Sequence, residues 1–223
     1  MKARRLLLLA LVLLAQPLAW FSPIEKGFAM ASVDALMVEM TPAEKVGQLF
    51  LITFDGKDFN SEGLLADLIR EQHIGGVVLS SSNDNFSGTD TAASARELIE
   101  NLQQIAWQKS QPSADPQGAG TGNQELPVYI PLFVGISQKD ETGRQDQFLG
   151  DLTQLPNLMA IGATWSEENA LQVGRALGEE LSALGFNLYL GPSLDVVDTS
   201  DLPLASNAGT ETFGGSPYWV GLM

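Results

Sequence analysis

Residues 166–196, SEENALQVGRALGEELSALGFNLYLGPSLDV, join two segments of different character. The first is bounded by Ser166 and Gly185, which are residue types that begin and end helices. The second, FNLYLGPSLDV, is rich in apolar and aromatic side chains and predicts a strand. The stretch therefore predicts a helix over 166–185 that runs directly into a strand.

The same alternation continues through the preceding part of the chain. Thr41, Pro42 and Glu44 have the spacing of a capped helix start. Further strands are predicted at 47–54, 74–80 and 128–136, and further helices at 61–72 and 91–109. Alternating strands and helices form parallel βα units, so the fold class is α/β, with an open sheet and a closed barrel as alternatives. Residues 110–125 are rich in Pro, Gly and Ser without periodicity and predict a flexible inserted loop.

The composition describes an acidic chain that can bury a core. Its 223 residues are 44% hydrophobic and carry a formal charge of −15. A chain this acidic repels phosphate backbones and anionic lipids, so we expect no nucleic-acid partner. There is no cysteine, and His73 is the only histidine, which excludes disulfides, thiolate metal sites and imidazole clusters. No dinucleotide fingerprint, phosphate-binding loop or nucleophile elbow interrupts the pattern.

The amino terminus has the character of a targeting segment. The apolar run LLLLALVLLA at 6–15 follows three basic residues, Lys2, Arg4 and Arg5. This order and short length are typical of a secretory signal. We expect 1–31 to be a signal peptide or an uncleaved amino-terminal anchor. The predicted localisation is therefore extracellular, or the cell envelope if the segment is retained.

Six motifs occur in the order found in one enzyme family. They are MTPAEKVGQLF, IGGVVL, PLFVGISQ, LPNLMAIGATWS, GEELSALGFNLYLGPSLDV and NAGTETFGGSPYWV. Over 40–223 the chain resembles the amino-terminal domain of glycoside hydrolase family 3, especially its bacterial β-N-acetylhexosaminidase-like members. The resemblance implies a (β/α)8 barrel that hydrolyses terminal β-linked sugars with retention. It implies a carbohydrate partner and no metal or organic cofactor.

The resemblance covers only about the first half of such a barrel. In the family, the Lys-His motif, the acid/base loop and the aspartate nucleophile come after the segment that TETFGGSPYWV resembles. We therefore expect no catalytic residue in this chain, although retaining hydrolysis needs two groups flanking the glycosidic bond. Two functional hypotheses stay open: a portion of an exported family 3 glycosidase that is catalytically incompetent as given, or a non-catalytic exported carbohydrate-binding protein.

Three residues are candidates for binding sugar. Arg144 resembles the arginine of the family's acid-glycine-glycine-arginine segment, and its planar donor fork suits sugar hydroxyls, or else it is a solvated loop arginine. Asp195 comes after a predicted strand, on the face where barrels carry their sites, or else fixes the next loop. Glu211 stands where the family pattern has an arginine that contacts substrate. Ser137 stands where the pattern has an aspartate if the comparison is anchored on the strand, whereas anchoring on Gly143 and Arg144 makes that strand two residues longer.

Two further residues are assigned structural roles. His73 precedes the strand predicted at 74–80, so it should lie on the face of the domain away from the chemistry. Trp165 comes after the motif segment MAIGAT and could stack on a sugar ring, but packing into the core is the commoner use of a tryptophan.

Overall fold

The computed structural model describes residues 33–57, 62–111, 129–137, 147–148, 151–197 and 210–223. The chain divides into two compact units, Met1–Leu36 and Met37–Met223. The segment 1–31, most of the inserted loop predicted at 110–125, and Arg144 lie outside the described residues. None of the helices in the described ranges has the length and apolarity that a membrane crossing requires.

Helices and strands alternate along the described part of the chain. The helices are α1 (Val33–Glu39), α2 (Pro42–Gly47), α3 (Leu64–Arg70), α4 (Thr91–Lys109), α5 (Leu158–Gly162), α6 (Glu167–Leu184) and α7 (Pro217–Val220). The strands are β1 (Leu51–Ile52), β2 (Gly76–Leu79), β3 (Phe133–Ile136) and β4 (Leu188–Tyr189). A short 3₁₀ turn at Ser81–Asn83 comes after β2.

The four strands form a parallel sheet in the order β1-β2-β3-β4. The pairing brings Ile52 beside Val77 and Val77 beside Val134, and it continues to Ile136 beside Tyr189. Neighbouring helices also pack in chain order, α3 against α4 and α4 against α6. Sequential parallel strands with one helical layer are the arrangement of a barrel wall, which confirms the predicted α/β barrel class.

Local signals in the sequence explain where the main helices begin and end. Thr41 and Glu44 form a capping box at α2, with each side chain bonded to the backbone of the other residue. Ser166 accepts a hydrogen bond from the backbone of Asn169 at the start of α6. Gly185 ends α6 with φ +102°, a conformation that favours glycine. These predicted boundaries are confirmed.

The two faces of the sheet differ in burial. Val77, Leu79, Val134 and Ile136 are fully buried in a core that includes residues of α3, α4 and α6. On the opposite face, Leu51 and Phe133 are 44% and 50% exposed. The helical layer therefore covers the face that points outward in a barrel.

All four strands are shorter than the sequence predicted, with β2 and β3 covering only Gly76–Leu79 and Phe133–Ile136 of the runs predicted at 74–80 and 128–136. The run at 47–54 is not a strand from its first residue, because Gly47 is the last residue of α2 and only Leu51–Ile52 pair with β2. The run at 186–196 pairs only at Leu188–Tyr189. Pro192 has no N–H to donate, so a ladder cannot continue through it. The residues after β4 therefore form a loop at the carboxyl edge of the sheet.

Candidate active-face pocket

A pocket of about 420 Å³ opens at the carboxyl ends of β3 and β4. It is lined by Ser137, Leu158, Tyr189, Leu190, Gly191, Pro192, Ser193, Asp195 and Glu211. We call this set the polar pocket. Two of the three residues predicted to bind sugar, Asp195 and Glu211, therefore share one cavity. Ser137, whose departure from the family pattern the sequence showed, also lines it.

The positions of β3 and β4 are fixed by hydrogen bonds across their shared edge. The Asn187 side chain accepts from the Val134 amide at 2.7 Å and donates to the Leu132 carbonyl at 2.9 Å. The Leu190 amide donates to the Ile136 carbonyl at 2.8 Å, just before Ser137. These contacts bring the residues after both strands to the same end of the sheet, where parallel folds place their functional loops.

Asp195 lies in a local turn as well as in the polar pocket. Its carboxylate accepts a hydrogen bond from Ser193 Oγ at 3.1 Å, and its amide donates to the same oxygen at 3.3 Å. The residue is exposed. A carboxylate oxygen has more than one acceptor site, so the turn contact is compatible with a second bond to a ligand hydroxyl. Both sequence interpretations of Asp195, loop anchor and ligand contact, are consistent with this geometry.

Glu211 is half-buried at the start of a segment that packs against α5. The Met159 amide donates to the Thr210 carbonyl at 3.3 Å, and the Thr212 hydroxyl accepts from the Gly214 amide at 2.9 Å. Gly162 lies so close to this segment that an added Cβ would overlap the Phe213 carbonyl oxygen. The α5 contact thus holds the backbone that carries Glu211 at the pocket.

Tyr189 is a pocket residue that sequence reasoning missed. It is the last residue of β4, and burial raises the pKa of its phenol above the ordinary value of 10.0. The hydroxyl is therefore protonated at neutral pH and can both donate and accept. Its place directly before LGPSLDV, the motif segment at the end of a strand, was the signal that could have found it.

Gln147 is a second residue that the sequence did not indicate. It is 2% exposed, and its side-chain oxygen accepts from the Ser81 amide at 3.0 Å while its amide donates to the Ser137 carbonyl. It therefore joins the loop after β2 to the loop after β3. Its neighbour Phe148 is fully buried and stacks on Phe86 with ring centroids 4.8 Å apart. No periodic pattern marks an isolated buried amide, so nothing in the sequence singled it out.

A separate polar cluster lies before β2, away from the polar pocket. His73 contacts Lys109 of α4 through its Nδ1 atom. Burial lowers the pKa of His73, and the Lys109 charge lowers it further against the opposing effect of Glu44 and Glu71. Burial also lowers the pKa of Lys109. Burial alone would raise the pKa of Glu44, but hydrogen bonds from Thr41 outweigh it and lower the value. The cluster agrees with the structural role predicted for His73.

Trp165 does not pack into the core, so that prediction was wrong. Its side chain is 61% exposed, and its backbone adopts φ +50° directly after α5. Its ring instead contacts the edge of Trp219, with centroids 5.1 Å apart. This conformation turns the indole away from the cores of the domain.

The polar pocket differs from a neighbouring cavity in the polarity of the side chains that line it. A second cavity of about 420 Å³ between α6 and β4 is lined chiefly by apolar side chains, among them Leu177, Leu181 and Phe186. It offers few groups that could bind hydroxyls. Within the described ranges no group of three or more His, Cys, Asp or Glu side chains could hold a metal ion. Of these two cavities, the polar pocket is the one suited to a neutral, hydroxyl-rich ligand.

The family model described as "Glycosyl hydrolase family 3 N terminal domain" matches residues 41–223. The chain belongs to glycosyl hydrolase family 3. A family 3 assignment confirms the resemblance carried by the six motifs, and it agrees with the observed parallel sheet.

Curated relatives are similar over most of this family 3 chain. The β-N-acetylglucosaminidase/β-glucosidase of Cellulomonas fimi is 28% identical over 195 residues, which is 87% of this chain and 28% of that protein. β-Hexosaminidase A of Pseudoalteromonas piscicida is 28% identical over 193 residues, 78% of this chain and 28% of the relative. The chain therefore spans little more than a quarter of the length of these two relatives.

Solved structures show the same fold. A family 3 β-N-acetylglucosaminidase from Paenibacillus sp. str. FPU-7 superposes with a TM-score of 0.62 at 28% identity, covering 82% of this chain and 29% of that one. A β-N-acetylhexosaminidase from Beutenbergia cavernae gives a TM-score of 0.56 at 24% identity, covering 82% and 48%. These superpositions support the barrel assignment.

Proposed function

We propose that this family 3 chain contributes the sugar-binding face of a glycosidase that acts on terminal β-linked sugars, with β-N-acetylhexosaminides as the substrate class. The observation that carries the proposal is the polar pocket, which brings Asp195 and Glu211 together at the carboxyl edge of the sheet. The activities named for its relatives in Cellulomonas fimi and Pseudoalteromonas piscicida support the substrate class.

The pocket side chains have complementary roles toward a sugar. The carboxylates of Asp195 and Glu211 accept hydrogen bonds from hydroxyls, and a charged acceptor makes the stronger bond. Tyr189 supplies a neutral hydroxyl that donates to a ring or acetamido oxygen. Arg144 is proposed as the cation of the same site on the basis of the family resemblance alone. Sugar hydroxyls both donate and accept, so this mixture suits them.

We propose further that the chain as given binds sugar without hydrolysing it. Retaining hydrolysis needs a nucleophile and an acid/base, each close to the anomeric carbon. Asp195 is already bonded to its own turn through Ser193. Glu211 occupies a position where the family resemblance places a binding arginine, not a catalytic group. Neither carboxylate has a role in bond cleavage in this proposal.

A non-catalytic carbohydrate-binding protein is the second candidate function. The observation in its favour is the pair of changes at the pocket, Ser137 in place of an aspartate and Glu211 in place of an arginine. Together they remove one negative charge and replace a positive charge with a negative one around the sugar. A binding protein would tolerate these changes, because affinity for hydroxyls needs acceptors and donors but no activated carboxylate.

Calorimetric titration of N-acetylglucosamine and glucose tests the proposal. Glu211→Gln keeps the size of the side chain and removes its charge, so we expect sugar binding to weaken by about 1–3 kcal/mol. Glu97→Gln is the matched control, because Glu97 is exposed on α4. Unchanged affinity in Glu211→Gln would remove this residue from the site. Turnover of an aryl β-N-acetylglucosaminide by the wild-type chain would contradict binding without hydrolysis.

A further inference from the structure

Three aromatic side chains form an exposed group beside α5 and α7. Trp165 and Tyr218 are 61% and 71% exposed, and Trp219 lies between exposed and buried. Trp219 meets Trp165 edge-on at 5.1 Å with an interplanar angle of 85°, and it meets Tyr218 at 5.8 Å and 77°. We call these residues the aromatic platform. Large aromatic side chains dominate cores and interfaces, so two exposed rings packed on a third, half-buried one mark a binding surface.

A small core holds the platform in place. Ile161, Ala170, Phe213 and Val220 form a buried cluster that joins α5, α6 and α7. Val220 comes directly after Trp219 in α7. The Trp165 amide donates to the Gly162 carbonyl at 3.1 Å, which ties the loop after α5 to that helix. The backbone that carries Trp165 and the backbone that carries Trp219 are therefore both held by packed neighbours.

The backbone at Trp165 favours exposure of the indole. Its φ of +50° lies in the left-handed region, which is uncommon for a bulky residue. Such conformations persist where the surrounding structure fixes them, and they often occur at ligand-binding positions. An ordinary helical or extended backbone would direct the side chain elsewhere.

The surroundings of the platform select the chemistry of its ligand. Glu167 and Glu168, both exposed, come after Trp165 in the first turn of α6. Together with the formal charge of −15, they disfavour nucleic acid, anionic lipid and acidic peptides. A pyranose ring presents a face of C–H groups to an aromatic ring, while its hydroxyls donate to carboxylates. Exposed rings with carboxylates close by in the sequence therefore match a neutral sugar.

We propose that the aromatic platform is a second carbohydrate-binding site that stacks neutral pyranose rings within an oligosaccharide or polysaccharide. It is separate from the polar pocket, whose described lining includes none of its three aromatic residues. The platform proposal depends on the proposed function in one respect, which is that the natural ligand is a glycan. Its role is to hold polymeric substrate near the domain, whereas the pocket receives a terminal sugar.

The test is depletion of the purified protein onto insoluble β-1,4-linked poly-N-acetylglucosamine. We expect Trp165→Leu, which keeps apolar area but removes the ring, to weaken retention about tenfold. Trp165→Phe keeps a stacking face and should lose no more than about threefold. Trp107→Leu is the matched control. Trp107 is 49% exposed and meets Tyr129 edge-on at 5.1 Å and 86°, but it lies within α4 without acidic neighbours in sequence.

A second comparison separates this site from the polar pocket. Glu211→Gln should weaken binding of free N-acetylglucosamine and leave retention on the polymer unchanged, whereas Trp165→Leu should do the reverse. If Trp165→Leu does not fold, Tyr218→Ala on the same platform takes its place, with an expected loss of at least about threefold. Failure of the pocket thus leaves the platform result intact.

Several results would overturn the platform proposal. They are absence of polymer binding by the wild-type protein, equal retention of wild type and a folded Trp165→Leu, and an equal loss in Trp107→Leu. Self-association of the wild-type protein in sedimentation, abolished by Trp165→Leu without sugar, would show that the platform binds a second copy instead. Retention that depends on the Trp165 ring and spares the Trp107 control would support it.

Discussion

Replacing Gln147 by leucine tests whether one buried amide holds the loops at the carboxyl edge of the sheet. The side chain is 2% exposed, and Ser81 N, Ser81 Oγ and Ser80 Oγ all lie within 3.3 Å of its oxygen. An amide oxygen has two lone pairs, so about two of these three contacts act at once, together with the bond to the Ser137 carbonyl.

The expected cost comes from the loss of about three hydrogen bonds. Each contributes about 0.5–1.5 kcal/mol net, and the apolar leucine side chain recovers part of the loss by burial. Because Ser80 and Ser81 are half-buried, water can replace some of the lost partners. We therefore expect Gln147→Leu to lower the free energy of unfolding by about 1–3 kcal/mol.

Urea denaturation of the purified protein measures this change, taken from the transition midpoint at constant slope. Gln104→Leu is the control, since Gln104 is exposed on α4 and should change stability by less than about 0.5 kcal/mol. Gln147→Leu should also weaken sugar binding, because Ser137 lines the polar pocket. A cost no larger than that of the control would refute the reasoning.

Three other predictions address separate features. The pKa of His73 is lowered from 6.5 in the folded protein, so the unfolded chain binds the proton more tightly. The stability present above pH 6.5 should therefore decline as the pH falls toward the lower folded pKa. His73→Gln should flatten this pH dependence of the free energy of unfolding, measured by urea titrations between about pH 5 and 8. Gly162→Ala gains about 1 kcal/mol of helix propensity but forces a Cβ against the Phe213 carbonyl, so thermal unfolding should reveal a net loss of about 1–3 kcal/mol. We propose that the protein is exported, and a reporter fused after residues 1–40 should cross the membrane; a reporter found only in the cytosol would contradict this.

Local signals predicted the framework better than they predicted the pocket. The capping residues at Thr41 and Ser166 act through nearby backbone, so their spacing alone located two helix starts. Asp195 was predicted from its place after a strand and Glu211 from the family pattern, but their shared cavity depends on how α5 holds the 210–223 segment at the sheet edge. Gln147 bonds to residues about 66 positions away, which no local pattern encodes.

Local backbone geometry accounts for the remaining differences between prediction and structure. An apolar run predicts a strand when its residues alternate between covered faces, but the run at 47–54 begins inside α2 and pairs only briefly. Trp165 was expected in the core on the basis of its apolar surface, and the left-handed backbone turns it outward instead. The hydrophobic periodicity of a sequence does not predict the backbone conformation of a single residue.

Binding of a terminal sugar in the polar pocket is the central claim of the proposed function. A crystal structure of the protein with N-acetylglucosamine is its sharpest test. We expect the pyranose in the pocket, with hydroxyls within hydrogen-bond distance of Asp195 and Glu211 and the Tyr189 hydroxyl facing the ring. A fully occupied sugar elsewhere on the domain, with Asp195 and Glu211 bonded only to protein, would contradict it.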